Sequence, residues 1–324
     1  MTGLPAATRA ALDGKLGHVA RLDLRDRAQA ISNAYRAGGT SDIIRSELDS
    51  LAYAVVRMPA TYAAVHAALT QTIRVIPEFA PRSVLDIGAG PGTASWAAID
   101  AWPSVRRTTL IDRNRYLLEL ARQLHESAAA PHVELTAMQA DAAGTLPNEL
   151  NADVVMASYA LTEFAAAAWQ GVLARLWGLA DRLLVIVEPG TMSGFKRVLE
   201  YRDVLLAAGA RIIAPCSHEG ACPLSENVRW CHFGARLPRS RDHRLAKGAN
   251  VPYEDEKFIY LVVGKELADL KRGHRVLATP RVSKGRIVLT LCAPVTPHEH
   301  VVDRGQKDAY KAAKRCGWGD AVGL

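Results

Sequence analysis

Apolar positions along the first eighty residues recur every three or four places. Leu12, Leu16, Val19 and Leu22 form one such series, and Ile44, Leu48 and Leu51 another. The Ala-rich stretch Thr61 to Ile76 continues the pattern, which is that of amphipathic helices. Gly38-Gly39-Thr40-Ser41-Asp42 reads as a helix break followed by an N-cap. The period changes near Pro77 to Pro81. Short apolar runs then alternate with helical segments. Strands are expected at Ser83 to Asp86, Arg107 to Ile111, His132 to Ala137, Ala152 to Ser158, Arg182 to Val187 and Arg211 to Ala214. Helices are expected at Asn114 to Ser127, Ala165 to Leu179 and Ser193 to Ala208, the last stopped by Gly209. Residues 216–256 show no period, and Phe258 to Val263 resumes as a strand. Five parallel-type strands with helical crossovers predict a doubly wound α/β sheet. The tail adds strand-like runs at Arg275 to Ala278 and Arg286 to Leu291, and a short helix near Gln306 to Lys314.

The first strand runs into Asp86-Ile87-Gly88-Ala89-Gly90-Pro91-Gly92, and a helix follows. Glycines permit positive φ and a close approach of backbone to ligand. The helix N-terminus offers free N–H groups to an anion. Position 93 is Thr, so the spacing is not the Gly-x-Gly-x-x-Gly of dinucleotide-binding loops. The loop instead resembles the first motif of class I methyltransferases, which bind S-adenosylmethionine. In that family an acidic residue ending the second strand meets the ribose, and one after the third strand lies near the adenine. Asp112 and Asp141 stand there. The expected cofactor set is Asp86, Gly88, Gly90, Gly92, Asp112 and Asp141. The alternative is a structural turn with ordinary capping aspartates.

The acceptor side is less legible. Strand four exits into Ser158-Tyr159-Ala160-Leu161-Thr162-Glu163. The Asn/Asp-Pro-Pro-aromatic turn of amino-methylating enzymes is absent, and no Cys precedes position 216 to act as a nucleophile. Tyr159, Glu163 and Glu188 are the catalytic candidates. Methyl transfer can proceed by alignment alone.

The five cysteines are clustered late. Cys216, Cys222 and Cys231 fall in one aperiodic segment, and Cys292 and Cys316 follow. In a reducing compartment such a cluster reads as metal binding before disulfide. Spacing leaves zinc and a [4Fe–4S] cluster both open, with Cys292, Cys316, His218, His232 or His243 completing the set. Charge is equally localised. Residues 264–315 hold 12 Lys/Arg against 5 Asp/Glu, which accounts for the whole net charge of +7. A basic segment on a neutral body suggests a polyanion such as nucleic acid, or simply a solvated surface. No apolar run approaches the about 20 residues of a membrane span, so no membrane role is expected. No secretory signal is visible, and a cytoplasmic location is the expectation.

Further segments carry a more specific resemblance. They are Val84-Leu85-Asp86 through Ser95-Trp96, Glu188-Pro189-Gly190-Thr191 with Gly194-Phe195, and Cys216-x-His218-x3-Cys222-Pro223-Leu224. Trp230-Cys231-His232-Phe233 and Tyr253-Glu254-Asp255-Glu256-Lys257-Phe258 complete them. From about residue 30 to 320 the chain resembles methyltransferase-like proteins associated with the mitochondrial small ribosomal subunit, and their bacterial relatives. The resemblance implies a [4Fe–4S] cluster on Cys216, Cys222, Cys231 and Cys292, and binding to small-subunit ribosomal RNA during assembly. No transit peptide is evident, which points to the bacterial type.

The resulting expectation is a helical region at 1–80 and a class I (seven-stranded, Rossmann-like) methyltransferase domain at 81–264 with a Cys-rich metal-binding insertion at 216–256. A small basic β-containing extension follows at 265–324, tied to the insertion through Cys292. Function is expected on the small ribosomal subunit, as an rRNA methyltransferase or an assembly factor, through the basic tail 264–315. The protein is expected to be monomeric off the ribosome. A non-catalytic rRNA-binding module and a small-molecule methyltransferase are the alternatives.

Overall fold

The computed structural model describes residues 2–128, 132–147, 150–164, 167–224, 230–265, 270 and 272–323. The N-terminal region is helical, as its period predicts: α1 (Ala6–Leu16), α2 (Arg21–Arg36) and α3 (Glu47–Val75). The expected break at Gly38 is present, with φ +80°. The cap lies further on than expected. Ser41–Ile43 forms a single 3₁₀ turn, and Ser46 caps α3 by accepting from the Asp49 N–H at 3.1 Å. The two apolar series around Leu51 and Val65 belong to one helix, which buries Ala52, Val56, Ala60, Ala64 and Ala68 completely.

The central sheet contains β1 (Ser83–Ile87), β2 (Arg107–Asp112), β3 (Glu134–Gln139), β4 (Ala152–Ser158), β5 (Ala180–Pro189) and β6 (Arg211–Ala214). Between them lie α4 (Thr93–Ala101), α5 (Arg115–Ser127), α6 (Trp169–Leu179) and α7 (Met192–Ala207). The first residues of the helix expected from Ala165 lie outside the described residues. After β7 (Phe233–Pro238) and α8 (Arg241–Lys247) comes the long β8 (Tyr253–Gly264). The order is β3-β2-β1-β4-β5-β8-β6. Strands β1 to β5 pair in parallel, and β8 runs antiparallel between β5 and β6. This is the order of the class I methyltransferase sheet, with its reversed strand next to the edge.

Residues 233–256 hold regular structure that their composition did not suggest. Phe233, Ala235 and Leu237 are buried while their neighbours face outward, the period of a half-covered strand. They lay β7 antiparallel onto Tyr253–Phe258, so β8 begins five residues before the expected strand. Polar flanks and a run of only three apolar positions masked the alternation. In the tail, β10 (Arg281–Ser283), β11 (Arg286–Leu291) and β12 (His298–Asp303) form an antiparallel meander. Helix α9 (Lys307–Ala313) packs on it, and β9 (His274–Arg275) pairs with β13 (Ala321–Val322). Val276, Ile287, Leu289, Leu291, Val302 and Ala313 form a small core of their own. Among the described residues no helix is long and apolar enough to cross a membrane.

Candidate functional site

Three turns of positive φ follow β1: Gly88 at +66°, Gly90 at +54° and Gly92 at +74°. Only at Gly88 is space as demanding as the dihedral. A Cβ there would lie 2.5 Å from the Cβ of Ala160. The end of β2 braces the loop. The N–H groups of Gly88 and Ala89 donate to the Ile111 carbonyl at 2.8 and 3.1 Å, and the Gly90 N–H donates to Asp112 Oδ2 at 2.8 Å. Asp112 Oδ1 accepts from the Asn114 N–H at 2.7 Å. The residue expected to meet a ribose therefore also holds the glycine loop in shape.

Asp86 is buried and turned toward α4. Its Oδ2 accepts from the Ser95 N–H and hydroxyl at 3.1 and 3.0 Å. Its Oδ1 is buried with no hydrogen-bond partner. Burial pushes the carboxyl up to about 7, Asp112 adds to this, and the Ser95 hydrogen bonds oppose it. An acid held so close to neutrality can accept a cationic amino group, which would restore its charge. Asp141 follows β3 at the same edge. It is exposed, and its Oδ1 accepts from the Ala143 N–H at 2.9 Å.

The exits of β4 and β5 place the other candidates. Tyr159 has φ +58°, unusual for a bulky residue. Its hydroxyl donates to Glu256 Oε1 at 2.9 Å, and the Arg57 guanidinium lies 5.5 Å from its ring centroid. Arg57 also approaches Glu256 at 3.8 Å. Glu163 faces Arg113 at 3.7 Å, and burial raises its carboxyl to about 6. Glu188 is fully buried, and burial pushes it up to about 8 against the pull of Arg197 and of the Thr162 backbone N–H. Asp86, Asp112, Glu163 and Glu188 thus gather at the carboxyl ends of the parallel strands. That edge suits a ligand carrying positive charge.

The sequence reading missed what covers this edge. The Asn114 side chain donates to the carbonyls of Ser41 and Ile44, both at 2.9 Å, and Arg113 pairs with Asp42 at 3.3 Å. The turn after α2 is thereby pinned over the end of β2. The rings of Tyr35 and Tyr53 meet at a tilt of 43°, 6.1 Å between centroids. Burial raises both phenols, Tyr53 to about 12, and Glu163 and Asp112 contribute in each case. These tyrosines and Arg57 belong to helices whose period signalled packing alone. Nothing in that period says which sheet edge they meet.

Four of the five cysteines line one cavity. Cys216 and Cys222 lie on the loop after β6, Cys231 precedes β7, and Cys292 follows β11. All four line one cavity with His218, Tyr260, Arg202 and Arg275. Burial pushes the Cys231 thiol well up, and Cys216, Cys292 and Cys222 each push it further. Burial and the neighbouring thiols raise Cys292 to about 12. Cys316 sits apart. Its Sγ donates to the Ala312 carbonyl at 3.3 Å, and its charged neighbours are Asp320 and Arg74. His232 stacks on Trp230 and His243 faces Glu254, so His218 is the one candidate histidine on this cavity. Among the described residues, no group of three or more His, Cys, Asp or Glu is arranged to hold a metal ion. The donor chemistry, four soft sulfurs with two arginines beside them, is nonetheless of the type that thiolate-ligated centres use.

Strand order and glycine loop define a methyltransferase-fold protein with a cysteine-lined site beside the sheet. The chain belongs to the mitochondrial small ribosomal subunit Rsm22 family, whose model matches residues 47–323. It is 27% identical over 293 residues to the ribosome assembly protein METTL17, mitochondrial, of Homo sapiens, a match covering 84% of this chain and 62% of that one. It is 26% identical over 324 residues to the Rsm22-cox11 tandem protein 2, mitochondrial, of Schizosaccharomyces pombe, covering 85% and 43%. The chain thus spans less than two thirds of the length of either relative. A solved O-methyltransferase family protein from Burkholderia thailandensis is 16% identical, with a TM-score of 0.45, covering 75% of this chain and 71% of that one. The expectation of a cytoplasmic location is corrected. The family and both curated relatives are mitochondrial by description. The absence of a visible transit peptide was a weak ground, because targeting segments are defined by loose composition.

Proposed function

We propose that this chain binds S-adenosylmethionine and acts on the small ribosomal subunit during its assembly, with a [4Fe–4S] cluster as a structural centre. The observation that carries the reading is the convergence of Cys216, Cys222, Cys231 and Cys292 on one cavity. Two of these cysteines lie on the loop after β6, one precedes β7, and the fourth follows β11 in the tail. Bound there, the cluster would hold tail and body together, since ligand binding to the folded state adds directly to stability. Zinc is the alternative occupant of the same thiols. The cofactor contacts would come from Asp86, Gly88, Gly90, Gly92, Asp112 and Asp141. The working units are a helical region at 1–80, a methyltransferase domain at 81–264 and a basic extension at 265–324, with rRNA contacted through 264–315. Residues 266–269 and 271 of that stretch lie outside the described residues.

A second reading, a binding module without methyl transfer, draws on Tyr159. Its hydroxyl is held by Glu256 and its ring by Arg57, so the strand-four exit is occupied internally. Mapping small-subunit rRNA methylation in a deletion strain separates the two. A single lost methyl group, restored by the wild type but not by Asp86→Ala, supports transfer. An unchanged map alongside a subunit assembly defect supports the module. Absence of salt-sensitive association with small-subunit precursors overturns both.

A further inference from the structure

The cavity lined by the four cysteines also contains two buried cations. Arg275 is 1% exposed and Arg202 3%. Most of each guanidinium is satisfied. Arg275 Nε donates to the Pro215 carbonyl at 2.8 Å, and its Nη1 donates to Gln71 Oε1 at 2.6 Å and to the Gly319 carbonyl at 2.7 Å. Arg202 Nη2 donates to the Gly220 carbonyl at 2.5 Å, and its Nη1 reaches Asp203 at 3.3 Å. One nitrogen of each is left over. Arg275 Nη2 and Arg202 Nε are buried with no hydrogen-bond partner.

Arg275 has no carboxylate partner within ion-pair distance among the described residues, and the one facing Arg202 is itself largely exposed. A buried guanidinium without a close counter-charge is costly. Unsatisfied N–H groups add to that cost. Both costs vanish if the cavity holds an anion. Four thiolates around a [4Fe–4S]²⁺ core, or around Zn²⁺, carry a net charge of minus two. Two guanidinium groups match it.

We infer that Arg202 and Arg275 are the charge partners of the thiolate centre, each donating its remaining N–H toward the sulfur-bound group held in this cavity. They are positioning residues rather than ligands. The inference rests on the thiolate-centre reading above, but not on iron rather than zinc. Arg275 has a second consequence. It ties α3, the cysteine loop and the C-terminal turn at Gly319 to one point, so the anion it faces also stabilises the docking of the tail.

Charge and hydrogen bonds at the sulfurs set the potential of such a centre. Removing a cation disfavours the more negative, reduced state. The test uses the full chain, reconstituted anaerobically with iron and sulfide, and compares the wild type with Arg202→Gln and Arg202→Lys. Midpoint potentials are read by dye-mediated titration with electron paramagnetic resonance. The expected result is unchanged iron per chain, a more negative midpoint in Arg202→Gln, and a smaller shift in Arg202→Lys. An unchanged midpoint in Arg202→Gln, or equal shifts in both variants, overturns the inference. Arg202→Met, which keeps the apolar stem, is run alongside in case Arg202→Gln does not fold. If the wild type takes up zinc but no cluster, the iron–sulfur reading fails by itself. The inference is then read from chelator competition for bound zinc. Release about tenfold easier from Arg202→Gln supports it, as for other outer partners of metal ligands, and equal release overturns it.

Discussion

Replacing Gly88 by Ala tests the proposed cofactor role of the glycine loop in a way that Gly90 calibrates. Both residues have positive φ, at +66° and +54°. Holding a residue with a Cβ in that region costs about 1–2 kcal/mol. At Gly90 the new methyl would meet only Leu117 Cδ1 at 3.8 Å, an ordinary contact. At Gly88 it would meet Ala160 Cβ at 2.5 Å, which backbone movement must relieve. Overpacking of this kind adds about 1–3 kcal/mol, so Gly88→Ala should cost roughly 2–5 kcal/mol and Gly90→Ala about 1–2. Ala160 directly follows Tyr159, so the displaced segment is the strand-four exit. Urea unfolding of both variants gives the stability difference, and calorimetry with S-adenosylmethionine gives the affinity change. Ala160→Gly removes the opposing methyl, and the double variant should recover the steric part as a coupling term. Equal stability losses at the two glycines, or no coupling with Ala160→Gly, would refute the reasoning.

Three other outcomes follow from the same geometry. Folding holds protons on Asp86 up to about pH 7 and on Glu188 up to about pH 8, whereas the unfolded chain releases them near its ordinary values of 3.8 and 4.5. The folded state thus binds more protons across that window. Their contribution to stability is full below it and is lost as pH rises to about 8. Urea midpoints measured across this range should fall, and Glu188→Gln should flatten the decline. Asn114→Ala removes the α5 cap formed by its Oδ1 with the N–H groups of Tyr116 and Leu117, together with both bonds to Ser41 and Ile44. It should cost about 1–2 kcal/mol and raise amide exchange around the Ser41–Ile44 turn more than in α1. Anaerobic metal analysis should find the metal lost in Cys292→Ala and retained in Cys316→Ala; the reverse would displace Cys292 from the site.

Much of this protein was legible in one dimension. The 3.6-residue period marked the N-terminal helices, and the alternation of short apolar runs with amphipathic segments marked a doubly wound sheet. Both rest on local geometry, because a residue's side-chain direction is fixed by its own element. The acidic and glycine positions of the loop after β1 were visible for the same reason. They sit where one strand ends, and the chemistry of a strand end is a local property. The carboxylates converge because parallel strands all end at one edge.

What the sequence left open are relations between distant segments. That Tyr35, Tyr53 and Arg57 face the acidic edge depends on how α2 and α3 pack across the sheet, and helix period reports only that a face is buried. That β7 adds to β8 depends on pairing, which a three-residue alternation specifies weakly. Spacing alone left Cys292 and Cys316 both open and the resemblance named Cys292; in the fold of the tail, pairing of β11 carries Cys292 to the cavity and leaves Cys316 beside α9. The roles of Arg202 and Arg275 were the least readable. An arginine in a sequence reads as solvated surface, and only burial beside four thiols, with one nitrogen unpaired, makes it part of a site.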